Sequence, residues 1–157
     1  MFYLLNMIGG LVGGLLSLGL YLLSSYAVYK VAKIRFLPNA WLAFIPIFSL
    51  YMVGLIIDSL KYNHYKINQY ISDIPMAYAL PIASLAASSL LPMIPILGAP
   101  AAALIEVALW IAQVLMYYFL FSLYSEPKHT LPFTVISALI PLAGPVLILY
   151  TLKDRRY

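Results

Sequence analysis

Long apolar runs separated by short polar clusters make up this chain, and the runs exceed what the core of a soluble protein needs. Residues 7–29 contain no charged side chain. A helix rises about 1.5 Å per residue, so this run covers the roughly 30 Å hydrocarbon core of a bilayer. It stops at Lys30-Val-Ala-Lys33-Ile-Arg35, and four further apolar runs follow at 36–57, 74–97, 101–124 and 131–152. The pattern predicts an all-α, polytopic integral membrane helical bundle of about five transmembrane helices, forming one transmembrane domain over 1–157.

Within the first run, Gly9, Gly13 and Ser17 recur at four-residue spacing. About one helical turn separates them, so they form a small-residue face on which a second helix can pack closely. In the second run, Pro38-Asn39 suits a helix start, Trp41 suits an interface, and Pro46 must kink or break the helix. The third run carries Pro75, Pro81, Pro92 and Pro95 among small residues, including Ser84, Ser88 and Ser89, and reads as a helix packed on several sides. Gly98-Ala-Pro100 signals a turn. The fourth run is the cleanest helix, and the fifth is interrupted by Pro141 and Pro145.

Charge orients these runs. Basic residues stay on the cytoplasmic side, which makes Lys30, Lys33, Arg35, Lys153, Arg155 and Arg156 cytoplasmic anchors. Five spans then place the N-terminus outside and the C-terminus in the cytoplasm. The loops at 58–73 and 125–130, each of zero formal charge, fall outside. In the first of these, Tyr62, Tyr65 and Tyr70 alternate with polar residues, as in an interfacial linker. A second arrangement satisfies the same charges. Runs 36–57 and 131–152 become re-entrant hairpins turning at their prolines, and every basic cluster is again cytoplasmic. Their lengths, about 22 residues, suit full spans better.

Composition agrees with a membrane class. The chain has 157 residues, 64% hydrophobic and 9% charged, against roughly 25% charged in soluble domains. Mean hydropathy is +0.96. The net charge of +4 lies in short loops and reads as membrane sorting, not nucleic-acid binding. There are no cysteines, hence no disulfide, thiolate metal site or Cys nucleophile. His64 and His129 stand in separate loops without ligand-spaced partners, and no activated serine or phosphate-binding glycine loop appears. The residues predict neither enzymatic activity nor a cofactor.

One ionisable residue lies inside a run. Helical spacing puts Glu106, Trp110, Gln113 and Tyr117 on one face. A carboxylate in hydrocarbon costs at least ~2.5 kcal/mol, so the stripe is a candidate functional site; alternatively Glu106 reaches the headgroups.

Ile-Pro-(Ile/Leu) occurs at Ile45-Pro46-Ile47, Ile94-Pro95-Ile96 and Ile140-Pro141-Leu142. The first and third are 95 residues apart, and the same offset pairs Tyr29 with Tyr124, Lys33 with Lys128 and Ala43 with Ala138. With one span between them, the two halves would be an inverted repeat. The stretch from Tyr29 through Lys33, Asn39, Trp41 and Pro46 to Leu50-Tyr51, with Lys128, Phe133-Thr134 and Pro141–Pro145, resembles a pattern in small uncharacterised prokaryotic polytopic membrane proteins. It departs from that pattern in lacking a Gly in the basic turn and in having Ser49 in place of Asn. The resemblance implies a fold type in a prokaryotic plasma membrane and no activity. The expected role is a non-enzymatic subunit or accessory protein, a homo-oligomer or part of a larger membrane complex. A small oligomeric transporter or channel using Glu106 is the alternative, and a holin or bacteriocin-immunity type protein a further one.

Overall fold

A computed structural model describes residues 2–63, 69, 71–94, 98–140 and 142–153; of 2–12, 63 and 92 only the backbone is described. His64, Tyr65, Lys66, Tyr70, Pro95, Pro141, Arg155 and Arg156 lie outside the described residues. Among those described the protein is all-α, as expected, with six α-helices and no strand: α1 (Phe2–Ile34), α2 (Pro46–Leu60), α3 (Met76–Leu85), α4 (Gly98–Tyr124), α5 (Pro127–Leu139) and α6 (Ala143–Thr151). Two helical stretches, Gly13–Ile34 and Gly98–Tyr124, are long and apolar enough to cross a membrane.

Five full-length helices are not what the structure contains. Run 36–57 is broken in two: a 3-10 helix over Ala40–Phe44, then an extended residue at Ile45, then α2. Pro46 has no N–H and its ring clashes with the preceding turn, so it can only open a new helix, and it stands at the first position of α2. The hydroxyl of Tyr21 on α1 donates to the Phe44 carbonyl at 2.9 Å, meeting a backbone acceptor where the first arm ends. The second arm returns to its origin. Arg35, just past α1, donates through Nε to Ser59 Oγ at 3.3 Å and through its guanidinium to the Ser59 carbonyl.

Run 131–152 is broken likewise, between Leu139 and Ala143. The start of α5 and the end of α6 share one cavity, lined by Glu126, Lys128 and His129 from one and Tyr150, Thr151 and Lys153 from the other. Both runs are therefore hairpins. At about 1.5 Å per residue, α5 and α6 are only ~20 and ~14 Å long. The two halves then share one orientation, a long helix followed by a hairpin, so the expected inversion is corrected to a parallel arrangement.

Between the halves runs α3, continued by a wide π turn at Ala86–Leu90 and a 3-10 turn at Leu91–Met93. It packs on α2 and on α4, as the small residues suggested, although Ser88 and Ser89 face outward. Gly98, at the start of α4, donates to the Ile94 carbonyl at 3.0 Å and sits against Leu91, and α4 runs antiparallel to α3. The ends of α1, α2, α4 and α6 and the starts of α3 and α5 consequently gather at one end of the molecule. The described parts of 58–73, at 58–63 and 71–73, and residues 125–130 stand there beside Lys30–Arg35, not opposite it.

The core lies where α2 packs against α1, α3 and α4. Met52, Ile56, Ile57, Leu60, Met116, Phe119 and Phe121 are fully buried. Gly54 lets α2 touch the α3 backbone, since a Cβ there would overlap the Met76 carbonyl. Gly54→Leu should lower stability by more than the ~1–3 kcal/mol typical of an overpacked core, because the obstacle is backbone. Thermal unfolding of the purified protein measures this, and an unchanged midpoint would contradict the close approach.

Candidate functional site

Among the described residues, polar side chains gather in two regions: a cavity beside the turn of the second hairpin, and the charged end.

The cavity, of about 260 Å³, lies between α1, α4 and α5 and is lined by Ser24, Trp110, Gln113, Tyr117 and Ser137. The amide of Gln113 donates to the Tyr117 hydroxyl at 3.0 Å. That hydroxyl also abuts Gly144 at the start of α6, where a Cβ would overlap it, so Tyr117 seats the returning arm. Ser137 Oγ is buried and meets no hydrogen-bond partner among the described residues. An unmet buried hydroxyl costs about 1–3 kcal/mol, which makes this lining receptive to a small hydrogen-bonding molecule. Its donors and acceptors are uncharged, so it offers neither a nucleophile–base pair nor a ligand set for a metal.

The expected stripe is thus divided. Trp110, Gln113 and Tyr117 line this cavity, but Glu106 does not; it is exposed on α4. Glu106 precedes Tyr124 by eighteen positions, which sets it about 27 Å from the charged end along the helix. It stands towards the opposite end, away from the hairpin turns.

From Gly13 onward, the small-residue face of α1 is uncovered among the described residues. Every residue from Gly13 to Leu20, Ser17 included, is exposed, and nothing lies within 4 Å of a Cβ built on Gly13, Gly14 or Gly19. The surroundings of Gly9 are outside the described side chains.

At the charged end the basic residues have different roles. Lys33 is exposed, with its ammonium 5.8 Å from the centre of the Tyr29 ring. Lys30 is half-buried, and Lys153 is exposed at the rim of the α5–α6 cavity. Arg35 is a structural tie to Ser59.

A buried polar cluster that the sequence reading took for linker also sits here. Asp58 accepts the backbone N–H groups of Met76 at 3.2 Å and Ala77 at 3.0 Å. These are orphan donors of the first turn of α3, which has no side-chain cap of its own. Asp58 is also 3.0 Å from Lys61, which is only 4% exposed and donates to the Ser72 and Ile74 carbonyls. One carboxylate from α2 therefore caps α3 and neutralises a buried ammonium. The available signal was an Asp and a Lys three residues apart at a helix end, before a helix opening on Pro75.

Comparisons of the chain with protein-family models, curated proteins and solved structures give no match.

Asp58→Ala should be the most damaging single change at this end. It strands a buried ammonium and two backbone donors, and breaking a buried pair typically costs about 3–5 kcal/mol. Lys61→Met leaves Asp58 bonded to α3 and should cost clearly less. Denaturation midpoints of the two variants check the order; equal losses would show that the cap contributes nothing.

Proposed function

We propose that this chain is a multi-pass membrane protein that acts, without enzymatic activity, as a subunit or accessory protein of a membrane assembly. The observation that carries this reading is the uncovered Gly13–Leu20 stretch of α1. An apolar helical stretch whose glycines Gly13, Gly14 and Gly19 meet nothing among the described residues has a face free for another helix. In lipid, small residues that let backbones approach drive such association. The partner is a second copy or a larger complex.

Location in a bilayer is supported by the two long apolar helices and by the charge distribution. Lys30, Lys33, Arg35, Asp58, Lys61, Glu126, Lys128 and Lys153 gather at one end, and the turn before Gly98 carries no charge. This arrangement suits three crossing segments, α1, α3 and α4, with two hairpins entering from the charged side. Under the positive-inside rule that side is cytoplasmic and the N-terminus is outside. The resemblance to small prokaryotic membrane proteins belongs to this reading, as does a cytoplasmic-membrane location.

A small transporter is the second reading. It is favoured by the cavity beside the second hairpin turn, where an interrupted helix exposes backbone groups to a ligand. Its candidate residues are Gln113, Tyr117 and Ser137, not Glu106.

Two experiments test the proposal. The chain lacks cysteine, so single cysteines report cleanly. Those replacing Lys33, Lys128 and Lys153 should all resist an impermeant thiol reagent in intact cells, while one replacing Met93 should react; labelling at Lys128 would restore five spans. For the assembly, native mass measurement after detergent extraction should find a stoichiometric complex that Gly13→Leu or Ser17→Leu weakens about tenfold or more, the equivalent of ~1.4 kcal/mol. A wild-type chain that is monomeric throughout removes the subunit reading.

A further inference from the structure

A bulky residue held in a backbone conformation that suits glycine marks a second site. Past the end of α1, the Leu37 amide donates to the Ala32 carbonyl at 2.9 Å and the Phe36 amide to the Lys33 carbonyl at 3.0 Å. This bond pair is a Schellman motif, and the residue in its left-handed position is usually glycine and sometimes asparagine. Here it is Phe36, at φ 54°. An aromatic residue there carries strain of about 1–3 kcal/mol. Packing does not repay it within the chain, because Phe36 is 87% exposed.

The surroundings of Phe36 suggest what its ring meets. A cavity of about 440 Å³ opens beside it, lined also by Tyr29, Lys33, Asn39 and Trp41. Trp41 is 58% exposed, so two large rings flank the mouth. Lys33 contributes the charge, reinforced by Lys30 and Arg35 on the same helix end. No carboxylate lines the cavity, and Lys33 forms no ion pair among the described residues. The other half of the chain provides the contrast. Tyr124 and Lys128, 95 residues on, line the equivalent cavity, but there Glu126 already holds Lys128 at 2.6 Å.

We propose that the Tyr29–Lys33–Phe36–Trp41 cavity binds the headgroup of an anionic phospholipid, with Lys33 on the phosphate and the Phe36 and Trp41 rings against its glycerol ester and first acyl carbons. The proposal rests on the membrane reading above, which places this cavity at headgroup level. Cationic pockets at that level attract anionic lipid, and aromatic rings settle in the same layer. Two exposed rings at the mouth distinguish a lipid from free phosphate, which has no apolar part to lay against them.

The test uses the full chain in detergent, reloaded with phosphatidylglycerol or phosphatidylcholine and analysed by native mass spectrometry. Wild type should retain phosphatidylglycerol in preference, and millimolar inorganic phosphate should not displace it. Lys33→Gln should reduce retention about fivefold, as expected for one surface cation, and Lys33→Arg should restore it. Phe36→Gly separates binding from folding: it should reduce retention while raising the unfolding temperature, because the left-handed strain is relieved. Equal retention of the two lipids, displacement by phosphate, or wild-type retention in both Lys33→Gln and Phe36→Gly would overturn the site. Vesicle flotation keeps the two readings apart. A chain that floats without preferring the anionic lipid loses only this site, whereas one that does not float loses the membrane reading as well.

Discussion

The missing N–H of Pro46 constrains the first half of this architecture. A helix entering the molecule at residue 40 cannot continue past residue 45 with its ladder intact, so the chain must turn where it can meet the exposed carbonyls. Tyr21 supplies one such meeting point at Phe44. Once the run is cut, its arms are too short to reach the opposite end, and the second has to come back. The second half is cut at the corresponding place, between Leu139 and Ala143. The shared charged end, with one cavity lined by Lys33 and another by Lys128, follows from these two interruptions.

The two hairpins are held by different physics. The first is tied electrostatically: Arg35 fastens α2 to the end of α1, and Asp58 fastens α3 to α2. The second is tied by packing. Gly144 seats against Tyr117, Phe133 sits edge-on to Phe121 at 5.6 Å, and the Thr130 hydroxyl donates to the Phe121 carbonyl at 3.4 Å. The two hairpins therefore follow similar courses while being held by different bonds.

Helix class, the first and fourth helices and the breaks at Pro46 and near Pro141 were legible in the sequence, because apolar length and missing donors are properties of the residues themselves. Whether a broken run continues or returns was not. Run 36–57 is predominantly apolar, so its periodicity does not point to a neighbour, and its length of about 22 residues suits a full span better than two arms. The return is closed by Arg35 meeting Ser59, a contact between residues 24 apart that the spacing within one run does not reveal. At the candidate cavity, helical spacing correctly grouped Trp110, Gln113 and Tyr117. It could not exclude Glu106, since a face drawn from spacing alone does not say where along a helix its neighbour ends. Asp58 was missed because a carboxylate in a loop of zero net charge looks solvated until the helix it caps is known.

The uneven placement of charge has a consequence for how such a chain is made. From Ile74 to Ile105 there is not one Asp, Glu, Lys or Arg. In the bilayer arrangement proposed above, the connection between α3 and α4 would cross without a single side-chain charge to dehydrate. The hairpins need cross nothing, since both can fold in from the side on which they are synthesised. Insertion would be governed by apolar transfer and backbone pairing, with the transmembrane potential contributing almost nothing to the energetics of either step.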